Sequence, residues 1–120
     1  MRRLGELEAA VMETLWDRGS PTTVRDALDL LHARRLAYTT VMTVMHNLHA
    51  KGMLTRSKAG RAWLYEPALT RGEYTGAIMR DALHATKDQT SALAQFVDAM
   101  TEEESDLLRS LLRRRPKRHS

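Results

Sequence analysis

Tyr38-Thr39-Thr40-Val41-Met42-Thr43-Val44-Met45-His46-Asn47-Leu48-His49-Ala50-Lys51-Gly52 is the stretch on which the fold turns. Its β-branched residues favour a strand on propensity alone. Periodicity separates the alternatives. Strict alternation sets Thr39, Val41, Thr43 and Met45 on one face and Thr40, Met42, Val44 and His46 on the other, which sorts apolar from polar on neither. A 3.6-residue period gathers Val41, Val44, Met45 and Leu48 into one stripe and leaves Thr39, Thr40, Thr43, His46 and Asn47 away from it, with Gly52 placed to stop a helix. The stretch is predicted to be a helix with a polar, uncharged outer face.

On its N-terminal side, Leu4, Leu7, Val11 and Leu15 recur at steps of three and four until Gly19, a first helix. Ser20-Pro21-Thr22 reads as a short extended connection, since the residue before proline avoids the helical region, and a threonine is placed to cap the next helix. Val24, Ala27, Leu28 and Leu31 form the stripe of that second helix, expected to end near Arg34 or Arg35. On the C-terminal side, Met53–Ser57 and Ala62–Tyr65 are strand-like runs around Lys58-Ala59-Gly60-Arg61, a basic hairpin with a glycine-bearing turn. Three helices and a basic hairpin within about 65 residues have the order of a winged helix-turn-helix, whose third helix enters the major groove.

From Thr70 the pattern is helical again. Thr70 and Glu73 have capping-box spacing ahead of Tyr74, Ile78, Ala82 and Leu83, and Lys87-Asp88-Gln89 reads as a break. Leu93, Phe96, Val97 and Met100 form another stripe, and Thr101 and Glu104 repeat the capping spacing before Leu107, Leu108, Leu111 and Leu112. Three short amphipathic helices cannot enclose their own stripes, so the same segment of a second chain is the simplest partner. The fold class predicted is mainly α with a small β-wing: a winged helix-turn-helix domain over 1–69, a helical dimerisation domain over 70–112 and a basic tail over 113–120.

Charge places the function. The net +4 of this 120-residue chain conceals a segment without a single Asp or Glu between Asp29 and Glu66, which holds Arg34, Arg35, Lys51, Arg56, Lys58 and Arg61. A polyanion is the natural partner of such a segment. Residues 70–112 carry eight acids against four bases and do not invite DNA. The tail, with Arg113, Arg114, Arg115, Lys117 and Arg118, reads as a favourable helix end with solubilising charge. With no cysteine there is no disulfide framework, thiolate metal site or cysteine nucleophile, which fits a reducing cytosol. No apolar run approaches the ~18 residues of a membrane span, and acids at Glu6 and Glu8 interrupt any signal-peptide core, so a cytoplasmic protein without membrane attachment is expected.

Thr39, Thr40, Thr43, His46 and Asn47 are the candidate groove-reading residues. Short side chains let a helix sit deeply, threonine offers a donor, an acceptor and a methyl, and Asn pairs bidentately with adenine. Arg56, Lys58 and Arg61 are candidates for phosphate contact from the wing. His46 and His49 stand three apart on one helix, but two histidines without a third ligand do not make a metal site, and none is predicted. Trp16 and Trp63 are expected in the core or at its edge. No phosphate loop or nucleophile elbow occurs, so neither catalysis nor a cofactor is expected.

Taken together, Leu4, Glu6, Leu7, Glu8, Met12, Leu15-Trp16, Thr40-Val41-Met42-Thr43, Leu48, Lys51-Gly52, Gly60-Arg61, Tyr65 and Pro67 resemble the penicillinase repressor family, the BlaI and MecI type of winged-helix regulator. The resemblance implies a homodimer on a dyad operator of double-stranded DNA, repressing β-lactamase-type genes until a sensor-protease system removes it. It also implies base reading by Thr39, Thr40, Thr43 and Asn47, with wing contact near Arg61. Many relatives have Arg where Asn47 stands, which implies a different operator preference. The family's inactivating cleavage precedes a phenylalanine in the dimerisation region, which here resembles Gln95-Phe96, with Gln where relatives commonly have Asn. The dimer surface implied by the stripes comprises Tyr74, Ile78, Leu83, Leu93, Phe96, Val97, Met100, Leu107, Leu108 and Leu111. Two other readings stay open: a ligand- or metal-sensing winged-helix regulator released allosterically, and a basic protein-interaction module.

Overall fold

The structure, a computed structural model, describes residues 3–115. In chain order it contains α1 (Glu6–Arg18), α2 (Val24–Leu30), a 3₁₀ turn (His32–Arg34), α3 (Tyr38–Ala50), β1 (Leu54–Ala59), β2 (Ala62–Pro67), α4 (Arg71–Ala85), α5 (Gln89–Asp98) and α6 (Glu102–Arg114). Residues up to Ile78 form one compact unit and those from Met79 onward a second. Of the tail, Arg113 and Arg114 close α6, while Lys117 and Arg118 lie outside the described residues.

The stripe of the deciding segment is the floor of the first unit. Val41, Met45 and Leu48 of α3 are fully buried against Val11, Met12 and Leu15 of α1 and Ala27 of α2, with Leu54 and Tyr65 from the hairpin, and Val44 packs at the edge. The helical period therefore overrides the strand propensity of these residues, because only that period lets three neighbouring turns reach one core.

How α3 ends determines where the wing begins. Gly52 takes φ +82, the Gly52 N–H bonds the His49 carbonyl at 3.0 Å, and the Met53 N–H bonds the Leu48 carbonyl at 2.9 Å. This is a Schellman closure with its usual apolar contact, here between buried Met53 and Leu48. It turns the chain straight into β1. β1 and β2 pair antiparallel, Leu54 opposite Pro67 through Ala59 opposite Ala62. The strands thus run further than the sequence placed them, leaving Gly60-Arg61 as a two-residue turn in which Gly60 supplies the required φ of +64.

Two local corrections apply. The second α-helix stops at Leu30 rather than near Arg34 or Arg35, and the chain tightens into the 3₁₀ turn before Arg35 adopts a left-handed φ of 52. A continuous helix would set Leu31 and Leu36 about 140° apart around its axis, whereas both pack on one core. Leu4 precedes α1, where its N–H donates to the Tyr74 hydroxyl at 3.0 Å. The extended Ser20–Thr22 connection acquires a further role. Buried Thr22 exchanges two backbone hydrogen bonds with Tyr65, both 2.9 Å, adding a one-residue third strand to the hairpin, while Thr23 caps α2 through the Asp26 N–H.

Both capping boxes form as their spacing predicts. The Thr70 N–H donates to Glu73 Oε1 at 2.8 Å and the Thr70 hydroxyl accepts the reciprocal bond from the Glu73 N–H at 3.0 Å, and Thr101 and Glu104 do the same at 2.9 and 3.1 Å. Asp88, at the predicted break, caps α5 through the Ser91 N–H. In the second unit Leu93, Phe96, Val97, Leu107, Leu111 and Leu112 are all exposed, Leu107 by 60%, and no residue of α5 or α6 is buried.

Candidate nucleic-acid interface

With Val41, Met45 and Leu48 turned inward, α3 presents Thr39, Thr40, Thr43, His46 and Asn47 together on its exposed face. No residue of α3 itself carries a carboxylate, ammonium or guanidinium. Met42 lies on that face as well, 43% exposed, a residue that the apolar-polar sorting of the sequence left unassigned. Its thioether offers apolar contact beside the threonine methyls, the type of contact that thymine methyls accept. His49 is half-buried at the side of the helix and His46 is on the outer face, and among the described residues no group of three or more His, Asp or Glu side chains is placed to hold a metal ion.

The acid-free segment is less uniformly available than its charge count implies. Arg34 reaches Glu6 at 3.8 Å and Lys51 reaches Glu8 at 2.5 Å, so two of its six bases are paired to the start of α1. Glu8 also accepts the Gly5 N–H, which fixes its carboxylate where Lys51 meets it. Arg35, Arg56, Lys58 and Arg61 take part in no ion pair among the described residues. They are the cations left for an external anion.

Three of those four are on the wing, and there the structure corrects the expectation for Trp63. Its ring is not in the core but 37% exposed on the hairpin, with the Arg56 guanidinium 4.2 Å and the Lys58 ammonium 4.6 Å from its centroid. The cross-strand register explains this: Lys58 is opposite Trp63 and Arg56 opposite Tyr65, so all four side chains share one face of the ribbon. Tyr65, nearer the body of the domain, is buried; Trp63 lies two pairs further out, towards the turn. Arg61 is in the turn itself, apart from that cluster. A further aromatic-cation contact, Arg25 over Tyr38 at 5.0 Å, joins α2 to the first turn of α3 and has no sequence signal, since only the fold brings residues of two elements together.

Trp16 does sit at the edge of the core, its Nε1–H donating to the Leu69 carbonyl at 2.9 Å. Arg71 covers its ring and binds Glu13 and Asp17 at 2.6 and 2.7 Å, and those hydrogen bonds raise the guanidinium pKa further above its ordinary value. These contacts fasten the start of α4 onto α1, and Tyr74, 5.9 Å from the Trp16 ring, belongs to the same fastening. Tyr74 is thus engaged inside the first unit, as part of a different set from Leu93, Phe96, Val97, Leu107 and Leu111. A cleft between Trp16, Pro21, Glu66, Leu69 and Arg71 borders these contacts, and among the described residues no buried side-chain polar atom lacks a partner.

Three helices, a hairpin carrying unpaired cations and an uncharged polar helix face define a winged-helix DNA-binding regulator. The comparisons with known proteins are specific. The penicillinase repressor family matches residues 4–114. The transcriptional regulator BlaI of Mycobacterium tuberculosis is 44% identical over 116 residues, covering 93% of this chain and 84% of that protein. This chain belongs to the penicillinase repressor family and is a DNA-binding transcriptional repressor. Among solved structures, the monomeric form of Bacillus licheniformis BlaI in complex with the blaP half-operator is similar at a TM-score of 0.51 and 24% identity, over 61% of this chain and 89% of that one. A MarR family protein from Bacillus stearothermophilus matches at a TM-score of 0.50 and 17% identity, over 93% and 72%. At those identities the likeness speaks to the fold. No helix among the described residues is long and apolar enough to cross a membrane.

Proposed function

We propose that this chain acts in the cytoplasm as a homodimer that binds an inverted-repeat operator and represses β-lactamase-type genes by excluding polymerase. The observation that carries the reading is the exposed face of α3, Thr39, Thr40, Thr43, His46 and Asn47, adjoining a wing whose Arg56, Lys58 and Arg61 are unpaired. Short donors, acceptors and methyls read base edges, and the flanking cations hold the backbone. On this reading residues 1–69 are the reading domain and residues 70–112 the dimerisation domain. The relative solved on DNA, the BlaI of Bacillus licheniformis, is described with a half-operator, which agrees with one chain per half-site.

Dimerisation rests on the exposed apolar side chains of α5 and α6, a surface that water does not tolerate cheaply. Two reading heads double the phosphate contacts and the base contacts on one duplex. Separating the heads releases the DNA: a sensor-protease system cutting at Gln95-Phe96 would break α5 within its last turn and leave α3 and the wing intact. Both residues are exposed, although a protease needs α5 to unwind locally before the bond is accessible.

The experiment is selection of the purified protein on a random duplex library, followed by anisotropy on the enriched sequence at two salt concentrations. An inverted repeat bound by two chains supports the repressor reading. Equal affinity for every duplex refutes sequence-specific repression, and no binding to DNA would favour a protein-interaction role for the wing. An intact chain throughout derepression in induced cells would refute cleavage.

A further inference from the structure

We propose that Trp63 is a positioning residue for DNA: its indole gathers Arg56 and Lys58 at one point of the wing as a joint contact for the sugar-phosphate backbone. The inference deepens the DNA-binding reading and rests on it. Arg56 and Lys58 are two residues apart on one face of β1, and their charges lie 4.2 and 4.6 Å from the centre of the same ring. Two like charges held against one ring repel each other, and no carboxylate forms an ion pair with either among the described residues. The attraction of the ring's electron-rich face offsets part of that repulsion. An anion placed against both cations removes the rest.

The anchoring is asymmetric. Arg56 is half-buried and also donates to the Tyr65 hydroxyl at 3.4 Å, whereas Lys58 and Trp63 are exposed. The cluster is therefore fixed at its inner end to a core residue and open at its outer end. Hydrogen bonds within one strand pair cannot account for so exposed a tryptophan on so short a hairpin: the register would be held equally by any β-former opposite Lys58. Arg61, in the turn and without a ring contact, is left as an independent phosphate ligand. A duplex backbone fits this arrangement better than stacked bases do, because the ring is already in contact with two cations.

The test needs no knowledge of the operator, since backbone binding is sequence-independent. Anisotropy on a mixed-sequence duplex over a salt series would be compared for wild type, W63F and W63L, with a single-stranded oligonucleotide as second probe and thermal unfolding to verify the fold. W63L keeps apolar bulk and loses the ring's quadrupole; W63F keeps the quadrupole. We expect W63L to bind the duplex about tenfold more weakly, with a salt slope shallower by about one per wing, and W63F to stay close to wild type. A change of indole emission on adding duplex, present in wild type and absent in W63F, is expected as well. W63L with wild-type affinity and slope overturns the proposal while leaving DNA binding intact. Preferential binding of the single strand that depends on Trp63 overturns it in favour of base stacking. A wild-type protein that binds no duplex overturns the DNA-binding reading itself.

Discussion

Asn47 is one turn beyond Thr43 on the exposed face of α3 and is the side chain there with the fullest hydrogen-bonding capacity, a carbonyl and an amide on one short stem. Its substitution by alanine is expected to cost about 1–3 kcal/mol on the preferred site and to relax preference at one base pair per half-site. Repeating the library selection with N47A reads this out, and an unchanged consensus would remove Asn47 from base recognition. Arg61 should behave differently, because a turn arginine with no internal partner meets phosphate rather than bases. R61A is expected to weaken all duplexes alike and to lower the salt slope by about one per bound chain. The two variants thus separate sequence reading from backbone holding, and competition assays with selected and scrambled duplexes distinguish them directly.

At the scale of elements, the helix-wing junction is the most sensitive place in the reading domain. Gly52 holds φ +82 with open space around its Cα, so G52A introduces no clash but forces an alanine into the left-handed region, at a cost of about 1–2 kcal/mol. M45A, which removes a fully buried side chain beneath the reading face, is expected to cost about 2–5 kcal/mol. Urea denaturation measures both, and a silent M45A would mean that the core does not rest on α3. Much of this level was legible in advance. The stripe of α3, the stop at Gly52, the reciprocal Thr70–Glu73 and Thr101–Glu104 caps and the basic hairpin are each written within one short window, because each depends on residues within a turn or two of one another. What escaped needs distant partners. The pairing of Arg34 and Lys51 with Glu6 and Glu8, the strand-like bond of Thr22 with Tyr65 and the contact of an exposed Trp63 with two cations all join segments that only the folded chain makes neighbours. The early end of α2 escaped for the same reason, since the demand to bury both Leu31 and Leu36 is tertiary.

For the whole molecule, the second unit is where assembly is tested. Leu111 is 49% exposed on α6, and if α5 and α6 cover their apolar faces with a second copy, L111E buries a carboxylate in that contact. We expect L111E to sediment as a monomer and to lose operator binding while its reading domain stays folded; a monomer with full operator affinity would show that one head suffices. The uncharged face of α3 carries one more consequence. Because its side chains meet the bases without an ionic charge, while the cations belong to the wing and the turn before α3, salt acts on the two tasks unequally. Raising ionic strength should shorten the time the repressor spends on any duplex, yet leave the ratio between its preferred and rejected sequences nearly constant. Such a protein would rank the sites of a genome in the same order at low and at high salt.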